Sequence, residues 1–406
     1  MAIKEVWTMV SDTQERERLT SRKQTRRVMC GGVPIGGGAN VPVQSMTNTF
    51  TEDAAATAAQ IQALEKAGAD IVRCAVPSLK AALAIPEIMS RLAASGTAMP
   101  IVADIHFDYR IALAAIKAGV DKIRINPGNI GGEERVKAIV DAAGAAGIPI
   151  RVGVNSGSIE EGLLPLYEEQ PAKALCESAL RNIELVHRMS FEDIVVSIKS
   201  PDIIVNAEAH MLLAAATDHP LHIGITEAGY GRPAVVKSAA GIGALLAMGI
   251  GDTVRVSLTG DPLSEIPAAR EILRAANLLP GRVVLISCPT CGRCRVNIAQ
   301  ICEEASETLS EIERIRILKA RRIRRAGPEA GEDPLLYLER LEEAEKPIVV
   351  AVMGCRVNGP GEASHADLGI ACGAFGGLYF EKGVSGDVVP TDKIVTALID
   401  GIERLS

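Results

Sequence analysis

Four of the nine cysteines in this 406-residue chain fall between Cys288 and Cys302. Three of them form the motif Cys288-Pro-Thr-Cys291-Gly-Arg-Cys294. Thiolates separated by two residues can bind one metal centre, and this spacing fits either an iron–sulfur cluster or zinc. An odd number of cysteines in a chain of this size does not indicate a disulfide framework. The motif therefore predicts a metal centre.

A further cysteine follows an apolar segment near the C-terminus, in the run Met353-Gly-Cys355-Arg-Val-Asn-Gly-Pro-Gly-Glu362. We expect Cys355 to end a buried strand and the Gly/Pro turn to expose Glu362. A third thiolate with a nearby carboxylate favours a cluster that has one exchangeable oxygen ligand. A buried core cysteine is the alternative for Cys355, and by spacing alone Cys294 and Cys302 compete for ligation. The remaining thiols are interpreted as core residues: Cys30, Cys74, Cys176 and Cys372.

A second set of chemistry-bearing residues stands late in a series of short β-branched segments. Five of these residues are cations, which are costly in the interior of a parallel strand. They are Arg73, Arg124, Arg151, Lys199 and Arg255. Because the planar guanidinium group matches phosphate oxygens, this set predicts a pocket for a substrate with two or more phosphates. The alternative is a set of inward ion pairs that only fill the interior.

Other polar residues occupy comparable late positions, and we include them in the predicted binding site: Asp104, His106, Asn155 and Ser257. His106 could donate a proton or form a hydrogen-bonded wall. Glu227 ends the segment LHIGITE before a glycine-rich loop, and it could act as an acid/base or pair with an arginine. His222, at the start of that segment, is expected to be structural.

The elements that must position these residues are eight strand-like segments separated by alanine-rich helical stretches. Several of the helical stretches end in glycine, as a helix C-cap does. Eight β-then-α units over this length predict a (β/α)8 barrel, whose active site lies at the C-terminal ends of the strands. A doubly wound open sheet is the alternative. The predicted strands are 42–46, 70–76, 100–106, 122–127, 149–155, 193–199, 221–227 and 252–259.

The barrel is expected to span residues 1–280 and a small α+β domain residues 281–406. The segment GGVPIGGGAN (31–40) could be a phosphate loop, but no helix follows it, so a hairpin that closes the barrel floor is favoured. In the second domain we expect strands at 282–288 and 346–355, two short strands after 366, and a C-terminal helix from about Asp392.

Composition excludes several classes of protein. Hydrophobic residues make up 48% of the chain, which excludes intrinsic disorder. A net charge of −7 and only 3% aromatic residues argue against nucleic-acid binding. The sequence has no apolar run that could span a membrane and no secretory leader, so a cytoplasmic location is expected.

Several motifs taken together resemble one known family, the 4-hydroxy-3-methylbut-2-enyl diphosphate synthases of the non-mevalonate isoprenoid pathway. The resemblance extends from about residue 24 to the C-terminus. It implies a homodimer that consists of a (β/α)8 barrel and a small cluster domain, with the cluster domain of one chain capping the barrel of the other. The motifs are VQSMTNT, VADIHFDYR, KIRINPGNIG, GITEAG, SCPTCGR and MGCRVNGPGEA.

The resemblance also implies a chemistry. A [4Fe–4S] cluster is expected on Cys288, Cys291, Cys355 and Glu362, with Cys294 idle. The implied reaction is the two-electron reductive opening and dehydration of 2-C-methyl-D-erythritol 2,4-cyclodiphosphate. Glu227 is expected to donate a proton to the departing hydroxyl, and Asn358 to contact the substrate.

Residues 303–345 depart from the short family pattern and carry seven cations between Arg314 and Arg325. One hypothesis is that this helix face docks an acidic electron carrier, a ferredoxin or flavodoxin. The alternative is a solvated helix balanced by the acids that follow it. For the whole chain, two other functions stay open at this point. One is a non-redox phosphate-binding transferase with a structural metal, and the other is an iron–sulfur regulator without catalysis.

Overall fold

A computed structural model describes residues 22–294, 296–329, 331–355, 363, 365–373 and 375–405. The chain divides into two compact units, Met1–Leu278 and Leu279–Ser406, which we call the barrel unit and the C-terminal unit. The C-terminal unit includes the motifs at Cys288 and Cys355, and the barrel unit includes all five predicted cations.

Eight parallel strands form a closed barrel in the first unit. Six of them pair in sequence order from β3 to β8, and β9 pairs with β10. Parallel bridges between Val196 and Leu221 and between Val43 and Val254 complete the ring, which confirms the barrel and excludes the open sheet. The strands are β3 (Gln44–Met46), β4 (Ile71–Ala75), β5 (Ile101–Asp104), β6 (Lys122–Ile125), β7 (Ile150–Asn155), β8 (Ile194–Lys199), β9 (His222–Ile223) and β10 (Thr253–Val254).

Helices follow the strands and cover the outside of the barrel. Side chains at Ser78, Asp108 and Asp202 accept hydrogen bonds from backbone N–H groups and so begin three of these helices. The expected glycine C-caps occur at Gly68 and Gly147, both in the left-handed conformation. The helices are α1 (Ala54–Ala67), α2 (Leu79–Ala94), α3 (Tyr109–Lys117), α4 (Pro127–Ile130), α5 (Glu133–Ala146), α6 (Leu164–Glu169), α7 (Pro171–His187), α8 (Ile203–Ala216), α9 (Gly231–Ala247) and α10 (Glu265–Ala275).

A hairpin occupies the amino-terminal end of the barrel. Strand β1 (Val28–Cys30) pairs antiparallel with β2 (Val33–Ile35), and Gly31 turns the chain with φ of 54°. Its apolar side chains pack on Ile71, Val102 and Val195, which lie at the beginnings of three barrel strands. The glycine-rich segment therefore belongs to a floor hairpin, as predicted, and not to a phosphate loop.

The C-terminal unit is a mixed five-stranded sheet covered by helices. Its strands are β11 (Val283–Ser287), β12 (Ile348–Met353), β13 (Leu368–Gly373), β14 (Gly376–Glu381) and β15 (Val384–Val389), in that spatial order. The first three strands are parallel, and the last two add antiparallel. The helices are α11 (Ile298–Ala326), α12 (Pro334–Glu345) and α13 (Ile394–Leu405). Helices α11 and α13 pack on the sheet through Ile301, Leu309 and Leu398.

Two elements of this unit escaped the sequence analysis. Helix α12 was not predicted, because its residues were interpreted only as part of the segment 303–345 that departs from the family pattern. Strand β15 exposes most of its residues and lacks the alternation of apolar residues that marks a strand. In the part of the chain that the structure describes, no helix combines the length and apolarity that crossing a membrane requires.

Candidate active site

The barrel brings the five predicted cations together, and we call them the cationic cluster. Four lie on strands β4, β6, β7 and β8, and Arg255 follows β10. Strand register places Arg124 beside both Asp104 and Arg151. The guanidinium group of Arg151 is almost completely enclosed, with 1% of the residue exposed. Asp104 and Lys199 end their strands, so the cluster lines the barrel interior toward the carboxyl ends, where barrel enzymes bind substrate. Arg151 differs from the prediction of a late strand position, because it is the second residue of β7 and lies deeper in the barrel.

Asp104 is the anionic centre of one half of the cluster. Its Oδ1 lies 3.2 Å from Arg124 Nη1, and its Oδ2 lies 3.6 Å from Arg73 Nε. Burial by itself would raise the pKa of Asp104, but the charges of Arg73, Arg124 and Arg151 outweigh it and lower the pKa to about 2. Asp104 is therefore ionised at any working pH.

A second buried carboxylate, Glu265, holds the other half of the cluster and was not predicted. It accepts hydrogen bonds from Arg255 Nη2 at 3.3 Å, from Ser45 Oγ at 3.3 Å and from the Leu258 N–H at 3.2 Å. Glu265 is the first residue of helix α10, which the connection 255–264 separates from the last barrel strand. No local signal in the sequence identified Glu265, because its approach to the cations depends on how α10 returns to the barrel.

Positive charge still exceeds negative charge in the barrel interior. Within the described residues Arg151 and Lys199 form no ion pair, and several buried guanidinium N–H groups have no acceptor: Nε of Arg124, Nε and Nη1 of Arg151, and Nε of Arg255. Burial and the neighbouring cations hold the pKa values of Arg151 and Lys199 well below their usual range. Ion pairs within the barrel therefore neutralise Arg73, Arg124 and Arg255 at least in part. Arg151 and Lys199 have no anionic partner among the described residues.

The neighbouring polar residues contact the cluster directly. His106 Nε2 lies 3.1 Å from Arg124 Nη1. With its amide oriented so that both of its atoms are satisfied, Asn155 accepts a hydrogen bond from Arg124 Nη2 at 3.2 Å. Ser257 is half-buried in the segment after β10. A Cβ atom at Gly224 would lie 3.2 Å from Lys199 Nζ and 2.6 Å from the Arg255 carbonyl oxygen, so only glycine leaves these two residues in place.

Glu227 is held in an uncommon backbone conformation. It lies in the loop after β9 with φ of 52°, although it is not a glycine. Non-glycine residues in the left-handed region cost about 1 kcal/mol or more and concentrate at functional sites. Its carbonyl oxygen accepts a hydrogen bond from Lys237 Nζ at 3.4 Å, and the residue is exposed. His222, by contrast, is fully buried at the start of β9, in keeping with a structural role.

In the C-terminal unit two parallel strands end side by side and lead into the cysteine motifs. The register pairs Ser287 with Val352, so Cys288 and Gly354 leave the sheet at the same end. The Gly354 N–H donates a hydrogen bond to Cys288 Sγ at 3.2 Å. A Cβ atom at Gly354 would approach Cys294 Sγ to 2.5 Å, so this position must be glycine for the thiols to lie this close.

The described thiols are not arranged as a closed zinc site. A tetrahedral zinc ion with Zn–S bonds of about 2.3 Å holds its sulfurs about 3.8 Å apart. Among the described residues, no three cysteines have all their sulfurs within 4.8 Å of one another. Cys288 and Cys355 are half-buried and Cys291 is exposed, and hydrogen bonds from Arg293 lower the pKa of Cys291. These thiols fit a wider iron–sulfur cluster, whose sulfurs accept such N–H bonds, better than a closed zinc site.

The competing thiols have different surroundings. Cys294 Sγ donates a hydrogen bond to the Val296 carbonyl oxygen at 3.2 Å. Burial raises the pKa of Cys302, and it raises that of Cys372 to about 11. All three pack against the apolar core of the unit. Their environment favours core thiols over metal ligands. The predicted ligand Glu362 and the predicted substrate contact Asn358 lie outside the described residues.

The basic face of helix α11 is largely neutralised by the chain itself. Arg314 pairs with Glu311, and Arg324 pairs with Glu345 on α12. Arg316 is buried and donates to the Lys346 carbonyl oxygen at 2.6 Å. Arg314, Arg316 and Arg324 therefore have structural partners, while Arg322 is exposed.

Comparison with known proteins gives the same two-part organisation. A family model described as the GcpE TIM-barrel domain matches residues 25–270. A second, described as the GcpE protein C-terminal domain, matches residues 336–404. The two matches cover the barrel with the cationic cluster and the end of the C-terminal unit, including the motif at Cys355.

Curated relatives match almost the whole chain. A 4-hydroxy-3-methylbut-2-en-1-yl diphosphate synthase (flavodoxin) from Caldanaerobacter subterraneus subsp. tengcongensis is 46% identical over 384 residues, which cover 95% of this chain and 98% of that protein. Proteins of the same name from Clostridium perfringens and Anoxybacillus flavithermus are 45% and 46% identical over 385 residues each, covering 100% and 96% of their own lengths. The chain therefore belongs to the 4-hydroxy-3-methylbut-2-en-1-yl diphosphate synthase (flavodoxin) family.

Proposed function

We propose that this protein is an oxidoreductase that converts 2-C-methyl-D-erythritol 2,4-cyclodiphosphate to 4-hydroxy-3-methylbut-2-enyl diphosphate. The single observation that carries the proposal is the excess of buried positive charge at the barrel mouth. Five cations face two carboxylates there, and buried N–H donors of Arg124 and Arg151 have no acceptor within the described residues. A diphosphate supplies both the missing charge and the missing oxygens. Family membership supports this identification of the anion.

Each cation has a distinct role in holding the diphosphate. Arg151 and Lys199 form no ion pair with any residue that the structure describes, so they contribute most to neutralising the phosphate oxygens. Arg73 and Arg124 are fixed by Asp104, and Arg255 is fixed by Glu265. Such pre-organisation reduces the ordering cost of binding. Asn155, His106 and Ser257 complete the wall around the substrate.

The second half of the site is a [4Fe–4S] cluster, which we assign to Cys288, Cys291 and Cys355 of the C-terminal unit, with Glu362 as the fourth ligand. The Cys288 sulfur with its N–H donor and the small Gly354 beside the thiols fit this group. When bound, such a cluster supplies single electrons and a Lewis-acidic iron.

Glu227 is the proposed proton donor. Opening the ring and losing the hydroxyl group consume two electrons and two protons and release one water. A carboxylic acid held in a strained backbone at the carboxyl end of β9 is placed to protonate the departing hydroxyl. Asp104 cannot take this role, because its pKa of about 2 leaves it without a proton.

The electron donor that we propose is a reduced flavodoxin, in keeping with the names of the relatives. We also propose a homodimer in which the iron centre of one chain serves the barrel of its partner. Three exposed aromatic side chains on loops after barrel strands support such a docking surface: Phe50, Phe107 and Tyr230. Unpaired cysteines are consistent with a reducing compartment, and we propose the cytoplasm.

The proposal is tested by anaerobic reconstitution with iron and sulfide, followed by turnover of the cyclodiphosphate with a chemical reductant. We expect four irons per chain and formation of the linear diphosphate. A protein that binds zinc in place of iron, or that carries the cluster but converts no substrate, would contradict it.

A further inference from the structure

Three side chains of metal-binding type converge at the end of the barrel opposite the cationic cluster. His187 is the last residue of α7, Glu192 lies in the loop before β8, and His219 lies just before β9. One ligand atom from each lies within 4.8 Å of the other two. All three residues belong to the barrel unit, and neither the proposed reaction nor the iron centre uses them.

The two imidazoles face each other through the same ring nitrogen. His187 Nε2 lies 2.8 Å from His219 Nε2 and 3.6 Å from Glu192 Oε2. At this distance one Nε2 atom donates a hydrogen bond and the other accepts it, so at least one imidazole directs a lone pair toward its neighbour. His219 is completely buried, and its Nδ1 has no partner in the described part of the chain. The protein thus encloses a histidine whose hydrogen bonding is incomplete.

We propose that this triad, which we call the floor triad, binds one divalent transition-metal ion with the preferences of Zn²⁺. Two histidine nitrogens, one glutamate oxygen and a water make a tetrahedral set that zinc commonly accepts. Zn–N bonds of about 2.0–2.1 Å place two such nitrogens roughly 3.3 Å apart, so the pair must open by about half an ångström. His187 is 29% exposed and sits at a helix end, where a shift of this size is easily accommodated.

The surroundings both orient and limit the site. Arg26 bonds to Glu192 and, through Nε, to Asp218 at 2.8 Å. A cation that holds a ligating carboxylate fixes its direction, as outer partners of metal ligands do, although its charge lowers the affinity for the ion. Asp218 offsets that charge. A bound ion would join the end of α7 to the starts of β8 and β9, so it would stabilise the barrel floor without contacting the substrate site.

The experiment uses the reconstituted holoenzyme, so that the cluster cysteines are occupied, and titrates it with ZnCl2 by calorimetry. We expect one Zn²⁺ per chain, unchanged iron content, and a Kd that rises at least tenfold in His187→Gln and in Glu192→Gln. Both residues are partly exposed, so these variants retain the fold even if His219→Gln does not. Glu208→Gln, an exposed carboxylate on α8, is the matched control and should bind zinc as the wild type does.

Zinc X-ray absorption of the same sample identifies the ligands. A shell of nitrogen and oxygen scatterers at about 2.0–2.1 Å without sulfur supports the floor triad, whereas a sulfur shell at about 2.3 Å places the zinc on cysteines and overturns the proposal. Absence of binding at 100 micromolar ZnCl2, or binding that neither variant weakens, would also overturn it.

Discussion

The barrel unit and the C-terminal unit hold their functional groups in different ways. In the barrel unit, Arg124, Arg151 and Lys199 stand on strands, and the register of those strands sets their spacing. In the C-terminal unit, Cys288, Cys291 and Cys355 follow strand ends, and Cys291 is exposed. Strand pairing therefore fixes the positions of the first set, whereas loops after the strands carry the second set.

The difference has an energetic origin. Burying unpaired cations opposes folding, and the rigid barrel tolerates this cost because an anion later satisfies them. Thiolates on loops near solvent cost little solvation free energy in the absence of metal, and metal binding then contributes to the stability of the unit. Substitutions in the C-terminal unit should therefore affect iron content, whereas substitutions of the barrel cations should affect substrate affinity and stability.

The largest effect is expected for the cluster ligands. Cys288→Ser should lose the iron and reduce turnover to below about 1% of the wild-type value, because the cluster cannot form without its thiolates. Iron and sulfide content after anaerobic reconstitution measures the loss. Cys302→Ser is the matched control, since this half-buried thiol packs in the core, and it should keep its iron. Equal loss of iron in both variants would mean that the assignment of ligands is wrong.

Glu227→Gln should keep the full cluster and yet lose turnover by roughly 10²–10⁴-fold, the usual contribution of a positioned proton donor. Turnover with a chemical reductant and the absorption of the cluster report the two quantities separately. Near wild-type turnover would remove Glu227 from its proposed role.

Lys199→Met should weaken the binding of the cyclodiphosphate and raise the stability of the folded protein. Loss of one buried charge-assisted contact costs about 2–3 kcal/mol, which is a rise of roughly 30- to 150-fold in the Kd of the cyclodiphosphate. The same change should raise the free energy of unfolding by roughly 1 kcal/mol, because it removes an unpaired buried cation. Calorimetry and thermal unfolding measure both, with the exposed Lys137→Met as control. A destabilised variant would show that Lys199 is satisfied within the protein.

The binding of substrate should also take up protons at alkaline pH. Burial and neighbouring cations lower the pKa of Lys199 in the free protein, and a bound diphosphate raises it again. Affinity should therefore fall as the pH rises above the pKa of the free enzyme, because the charge must be restored on binding. Calorimetry in buffers of different ionisation enthalpy measures this uptake. It should decrease in Lys199→Met, and an unchanged uptake in that variant would assign the proton to another group.

The smallest effect concerns the basic face of α11. Arg314, Arg316 and Arg324 have partners within the chain, whereas Arg322 is exposed and is the candidate for docking flavodoxin. Replacing Arg322 with Gln should lower flavodoxin-dependent kcat/KM by about twofold at low ionic strength, through slower association. Turnover with dithionite should not change. An equal decrease with both reductants would contradict a docking role.

Much of the barrel could be predicted from the sequence because its signals are local. All eight predicted strand segments contain a barrel strand, although β9 and β10 are shorter than their apolar runs. The cations were identifiable because an arginine such as Arg151 in an apolar strand has no ordinary explanation. Glu265 was missed because its role depends on the return of α10 to the barrel mouth, which only the folded chain shows.

The C-terminal unit was less predictable for a physical reason. Strand β15 follows a tight turn and exposes most of its residues, so it lacks the apolar pattern that marks a strand. The residues of the floor triad, His187, Glu192 and His219, come from three different parts of the chain, and no sequence motif with metal-ligand spacing indicates them. Contacts that arise from closure of the barrel leave little trace in the linear sequence.

The central claim is that a diphosphate held by the cationic cluster reaches the iron centre of the C-terminal unit. The electron paramagnetic resonance spectrum of the reduced, reconstituted protein tests this most directly. The account predicts that adding the cyclodiphosphate changes the spectrum, and that Lys199→Met needs a higher substrate concentration for the same change. A spectrum that stays unchanged at a concentration that saturates binding by calorimetry would contradict the account.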